Sequence, residues 1–171
     1  MVELKKTYYI GGELYDEWIE VNGIKEGSHK TYHKNGELWM ISNFVNGVKN
    51  GYHKTYDSEG QLQSHYNFIN GEIEGMMYQY YENGQIKCSC MYNNSKLIGH
   101  YKEYYENGKI KSIGNFIDGE REGQYTEYYE NGNIKSITSF VKSELNGPYK
   151  SYYENGEIKE TYCYVNGVKE C

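Results

Sequence analysis

The chain has 171 residues, a formal net charge of −6, 22 Tyr, 20 Gly and a single Pro. Leu, Ile, Val and Phe together number only 31 of the 171 residues, a share typical of disordered chains unless the tyrosines supply large apolar rings, each with one polar end. These figures exclude a transmembrane helix, which needs ~18 consecutive apolar residues, and a collagen-like chain; at a pI near 5.4 they also argue against a basic nucleic-acid binder.

The N-terminal stretch, residues 1–18, lacks the apolar run of about 7–15 residues that a secretory signal requires. The expected setting is therefore cytoplasmic (host cytoplasm for a viral protein), with the four cysteines reduced. From residue 3 the chain repeats itself. Units 3–26, 27–50, 51–74, 75–98, 99–122, 123–146 and 147–170 follow one another without an insertion and read as one repeat array. Tyr8, Tyr32, Tyr56, Tyr80, Tyr104, Tyr128 and Tyr152 keep the 24-residue period. So do Leu14, Leu38, Leu62, Ile86, Ile110, Ile134 and Ile158, and the glycines from Gly12 to Gly156. An aromatic recurs at Phe44, Phe68, Tyr92, Phe116, Phe140 and Tyr164.

Two turn signals per unit, such as Asn107–Gly108 and Asp118–Gly119, bracket short runs rich in Tyr, Ile and Phe. This is the pattern of a β-hairpin, and no window carries a sustained helical period. In the first turn Gly is constant, while the preceding residue varies from Asn to Gly11 and Glu59. Glu is poor at positive φ, so the pattern predicts a type I turn closed by a left-handed Gly bulge rather than a two-residue I′ turn. That register sets Tyr104 opposite Ile110 and Tyr128 opposite Ile134. The fold expected is all-β: a single elongated, twisted antiparallel sheet of seven stacked hairpins, solenoid-like, with about 14 strands.

One face is expected to hold the periodic Tyr, the Leu/Ile and the later Phe/Tyr as core. The other holds a second aromatic set, Tyr81, Tyr101, Tyr105, Tyr125, Tyr129, Tyr149 and Tyr153, replaced in earlier units by Lys5, His29, His33, His53 and Asp57. This set is either a second packed layer or an exposed recognition stripe, and it is the candidate partner-binding site. The first unit departs from the pattern at Glu3 and Glu20, as a cap would, whereas the seventh stays regular, so its open edge could join copies into a homo-oligomer.

No chemistry stands out. His29 and His53 lie two strands apart, roughly 10 Å, and His29 and His33 about 13 Å apart along one strand, too far to share a zinc ion. Neither a metal nor a cofactor is expected. Cys88 and Cys90 share a strand face about 6.6–7 Å apart, too far for an easy disulfide; they, Cys163 and Cys171 are expected as plain thiols. Glu82, Glu106, Glu130 and Glu154 sit in turns, away from the shielded cleft that acid–base work needs. The Lys rows, Lys87 to Lys159 and Lys6 to Lys150, are diluted by neighbouring Glu, so no nucleic acid is expected.

The stretches YYENGQIK (80–87), YYENGKIK (104–111), YYENGNIK (128–135) and YYENGEIK (152–159) resemble MORN repeats of the variant Y-x-x-N-G type. The resemblance spans essentially the whole chain, without the Y-x-G-x-W pattern of the better-known repeats. It implies a contact surface rather than an enzyme, as in bacterial antitoxin-like arrays and giant-virus repeat proteins. The expected function is a non-catalytic protein–protein interaction scaffold using the Tyr-rich face; the alternative is peripheral association with lipid.

Overall fold

The computed structural model describes residues 1–170, so Cys171 lies outside the described residues. The chain is all-β, a succession of antiparallel hairpins with no helix among the described residues. It divides into two compact units.

The first unit holds β1 (Val2–Tyr8), β2 (Leu14–Val21), β3 (Ile24–Tyr32), β4 (Leu38–Val45), β5 (Val48–Tyr56), β6 (Leu62–Ile69) and β7 (Glu72–Tyr80). Each pairs antiparallel with the next. The second unit holds β8 (Ile86–Asn93) except for its last residue, β9 (Lys96–Tyr104), β10 (Ile110–Ile117), β11 (Glu120–Arg121), β12 (Gly123–Tyr128), β13 (Ile134–Val141), β14 (Glu144–Leu145), β15 (Gly147–Tyr152), β16 (Ile158–Val165) and β17 (Val168–Glu170). Here β10 pairs with β9 on one side and with β11 and β12 on the other; β13, β15, β16 and β17 continue the ladder. Among the described residues seventeen strands replace the expected 14, for two reasons. The glycine that opens each repeat from the second on has positive φ, and at Gly123 and Gly147 the strand is split in two. The last turn, Asn166–Gly167, is followed by one more short strand, β17.

The first turn of each hairpin has the predicted form. Gly108 N donates to Tyr105 O at 2.9 Å, Tyr105 N donates to Lys109 O at 2.8 Å, and Gly108 has φ +79°. Tyr104 faces Ile110, and Tyr128 faces Ile134. The second turn is a different device. Asn22 and Gly23 both have positive φ (51° and 78°) between the paired Val21 and Ile24, which is a two-residue I′ turn.

One sequence expectation is corrected. The periodic Tyr and Leu/Ile share a face, but the Phe/Tyr row (Phe44, Phe68, Phe116, Phe140, Tyr164) lies on the opposite one. The cause is a second bulge. After the pair Ile110–Tyr104 the register slips, and the next pair is Ser112–Glu103, with Lys111 as the extra residue. An extra residue inverts the alternation beyond it, so Phe116, an even number of residues from Ile110, joins Tyr101 instead. The core moves with it. Thr31, Ser42, His53, Phe68, Cys88, Cys90, Ser112, Ser136 and Ser151 are buried on this second face, whereas Tyr8, Ile134 and Ile158 on the first are exposed. Small residues there lie under the rings of neighbouring strands. The ring of Tyr125 crosses Gly114 so closely that a Cβ at Gly114 would stand 2.4 Å from Tyr125 Cδ2.

Candidate interaction surface

The seven tyrosines of the stripe fall into two rows on the packed face. Tyr101, Tyr125 and Tyr149 lie in mid-strand and touch the Phe/Tyr row: Tyr101 against Phe116 (5.7 Å between ring centroids), Tyr125 against Phe140 (6.2 Å), and Tyr149 edge-on to Tyr164 (6.3 Å), with Tyr149 also stacked on Tyr162 (4.6 Å). Tyr125 also donates its hydroxyl to Ser112 Oγ at 2.8 Å. The second row opens the first turn of each hairpin. Tyr105 donates to the carbonyl oxygen of Tyr128 at 2.6 Å, and Tyr129 to that of Tyr152 at 2.8 Å. Tyr9 and His33 make the same link in the first unit, to Tyr32 O (2.8 Å) and Tyr56 O (3.0 Å). Tyr81 is half-buried in this row, and Tyr153 alone of the seven is exposed.

Six of the seven tyrosines of the stripe are thus part of a packed layer, and its second row ties the first, second, fifth and sixth repeats each to the next. His29 and His53 take the mid-strand row in the first unit. His29 packs between Trp18 and Phe44, with Nε2 3.1 Å from Asp16 Oδ1. His53 packs on Tyr66 and Phe68 and shares a 2.6 Å hydrogen bond with Ser42 Oγ. Burial, with Lys49 beside it, pushes His53 down to about 4. Burial likewise lowers His29, with Lys25 adding to it. The Ser42–His53 pair and the Thr31–Asp16–His29 set have the composition of a hydrolase dyad and triad. Ser42 and Thr31 are 0 % and 2 % exposed, so no substrate carbonyl reaches either hydroxyl. They are satisfied core networks.

The surface that sequence reasoning missed is the opposite face. In the first unit Leu4, Tyr8, Ile19, Val45, Tyr52 and Ile69 are exposed on it, and in the second Ile117, Ile134, Val141, Ile158 and Val165. A hollow of about 330 Å³ on this face is lined by Leu38, Ile41, Tyr52, Lys54 and Tyr56. Lys6, Lys30 and Lys54, and in the second unit Lys102 and Lys150, run through the strand middles of the same face. Glu26, Glu74 and Glu122 line its margin at the second turns. There they accept the backbone N–H of Asn46 (2.7 Å), Asn94 (3.0 Å) and Lys142 (3.0 Å). The inversion at the second bulge was the signal that would have exposed this face, and a plain count of alternating residues passes over it.

Among the described residues no group of three or more His, Cys, Asp or Glu is arranged to hold a metal ion. No helix among them is long and apolar enough to cross a membrane.

A sheet of hairpins with a 24-residue beat, two kinds of glycine turn and a Y-x-x-N-G corner defines a tandem-repeat class whose members act as contact surfaces. The chain belongs to the MORN repeat variant family, which it matches at residues 25–46, 49–70, 73–94, 97–118, 121–142 and 145–166. Each matched segment runs from the strand after one N-G turn to the Asn or equivalent residue of the next. Residues 3–24 lie outside the matched segments. MORN repeats in general mediate contacts with proteins or membranes. No curated protein matches the chain. Solved structures similar to the chain include the GtfA/B complex bound to UDP and GlcNAc (11 % identity, TM-score 0.28, 67 % of this chain and 22 % of that one). TarM (10 %, TM-score 0.32, 70 % and 19 %) and the TcdB2-TccC3-Cdc42 assembly (12 %, TM-score 0.21, 98 % and 13 %) are also similar. The chain thus spans less than a quarter of the length of these proteins.

Proposed function

We propose that this protein is a non-catalytic scaffold that binds a protein partner through the open face bearing Tyr52, Lys54 and the exposed Leu, Ile and Val residues. The observation that carries this reading is the segregation of side chains. One face packs on itself through ring contacts and small buried Ser, Thr and Cys side chains, while the other leaves its large apolar groups in water. Contiguous exposed apolar surface of this kind marks an interaction site, and Tyr and Lys stems interleaved with it give contact area at low entropic cost.

The charge pattern favours a protein over a lipid surface. Lys in the strand middles and Glu at the margin present both signs on one face, which suits a partner with its own charge pattern. An anionic bilayer would meet repulsion along the Glu margin. Within this reading the partner is either an enzyme held inactive, as in antitoxin-like arrays, or a host factor if the protein is viral.

The test is a pull-down from lysate of the native host with the full chain, beside Tyr52→Glu/Lys54→Glu on the open face and Tyr105→Phe/Tyr129→Phe on the packed face. A stoichiometric protein should be retained by wild type and the packed-face variant and lost from the open-face variant. Sedimentation with anionic vesicles, unaccompanied by any protein, would overturn this reading in favour of lipid association.

A further inference from the structure

Two hollows on the open face of the first unit share repeat positions. One, of about 280 Å³, is lined by Leu4, Glu17, Trp18, Ile19, Ser28 and Lys30. The other is the hollow of about 330 Å³ around Lys54. Glu17, Ser28 and Lys30 of the first recur one repeat later as Ile41, Tyr52 and Lys54 of the second. The exchange of Glu17 for Ile41 changes the charge. Lys30 Nζ lies 3.3 Å from Glu17 Oε1, Lys6 Nζ lies 3.7 Å from Oε2, and Tyr32 donates to Oε1 at 2.6 Å. Lys54 instead faces Ile41 on one neighbouring strand and His65 on the other. Among the described residues it forms no ion pair. His65 feels its charge: burial, and then Lys54, hold the imidazole below its ordinary value.

We propose, resting on the reading of the open face as a protein-binding surface, that these hollows hold an acidic segment of the partner in the polyproline II conformation. A carboxylate side chain meets Lys54, and an apolar side chain three residues away enters the hollow beside Lys30. Charge complementarity selects the acid. A partner that covers Lys54 between Leu38, Ile41, Tyr52 and Tyr56 takes its ammonium out of water, which is costly unless the partner also brings a carboxylate. Lys30 already has Glu17, so what its hollow has left to offer is the apolar surface of Leu4 and Ile19.

Spacing selects the conformation. Lys30 lies on β3 and Lys54 on β5, two strands apart in the sheet, which is ~9.6 Å at ~4.8 Å per strand. A polyproline II segment returns to the same side every third residue, ~9.3 Å along its axis. An extended β-strand laid across the sheet turns its third residue to the wrong side, and its second reaches only ~6.7 Å. An α-helix repeats its face after seven residues, ~10.5 Å, and is the competing geometry that the experiment separates. Tyr52 and Tyr56, which flank Lys54 in the hollow, are the aromatic walls on which polyproline II segments dock.

The experiment measures fluorescence polarisation of labelled peptides with the full chain. Either Pro-Pro-Leu-Pro-Pro-Glu-Pro-Pro or the same probe with Leu and Glu exchanged, which reverses the chain direction, should bind. Moving Glu one residue closer to Leu, or replacing it with Lys, should weaken binding by about tenfold. Lys54→Glu should reverse the preference, taking the Lys probe over the Glu probe. Glu17→Gln, which leaves Lys30 without its carboxylate, should strengthen binding of a probe with Glu in place of Leu. An alanine-rich helical probe with Leu and Glu seven residues apart should not compete. The proposal is overturned if the closer-spaced, Lys or helical probe binds as well as the first. It also falls if no probe binds while the lysate pull-down still retains a protein that Tyr52→Glu/Lys54→Glu loses; the scaffold reading then stands without it. Failure of the pull-down as well removes both. Lys54 is exposed, so the Lys54→Glu readout holds even if Glu17→Gln fails to fold.

Discussion

Single hydroxyls and one imidazole carry more of the architecture than their number suggests. Tyr105 and Tyr129 each donate to a carbonyl of the following repeat. Tyr105→Phe and Tyr129→Phe should each cost about 1 kcal/mol, the net worth of one such bond, read as a lower urea midpoint with an unchanged slope. The serine variants, which also remove ring packing, should cost more. His53 sets a pH dependence. Its folded pKa, pushed down to about 4, lies below the unfolded value near 6.5. The stability it contributes is fully present above pH ~6.5 and is lost as pH falls through ~4, because the unfolded chain takes up the proton first. His29 and His65 are lowered as well and act in the same direction. Urea midpoints between pH 7 and 4 should therefore fall, and His53→Gln should flatten part of that fall. An unchanged slope in the variant would show that His53 is not the group responsible.

At the level of the hairpin, the two turns use glycine differently. Gly132 sits at φ +95° with open space around the position of a Cβ, so Gly132→Ala should cost about 1–2 kcal/mol through backbone conformation alone. Gly132→Asn should cost less, since Asn tolerates left-handed backbone, and thermal melts of the pair measure the difference. The first turn was legible in the sequence because Gly11 and Glu59 appear where an I′ turn would demand positive φ. The second bulge was not. An Ile-Lys-Ser run such as Ile110–Ser112 looks like ordinary alternation, and only the hydrogen-bonded register shows that Lys111 is the extra residue. Everything downstream of that residue changed face, including Phe116. The packing of the seven tyrosines depends on which rows stand beside them, and the bulge decides that. The hydroxyl-to-carbonyl ties were equally hidden, because they join residues 23 apart that become neighbours only when hairpins pair.

At the level of the molecule, each repeat is bound mainly to the ones beside it. The backbone repeats the tie at the other end of the hairpin: Gly47 N donates to Lys25 O, Gly71 N to Lys49 O and Gly119 N to Leu97 O, at 2.8, 2.8 and 2.9 Å. Removing residues 99–122 should therefore leave a folded β protein whose urea slope falls by about one seventh, as expected of a near-additive repeat chain. Circular dichroism and a urea titration of the shortened chain check this; collapse of the sheet would show that the repeats are not interchangeable.

The constant 23-residue reach of the tyrosine tie bears on how such a gene can change. An insertion or deletion of one codon anywhere in a repeat moves a hydroxyl away from its carbonyl and turns a strand over. Loss or gain of a whole repeat by unequal recombination leaves each remaining hydroxyl facing an equivalent oxygen. The bonding rule therefore acts as a reading frame for the protein: it tolerates lengthening in full repeats and rejects almost every smaller step.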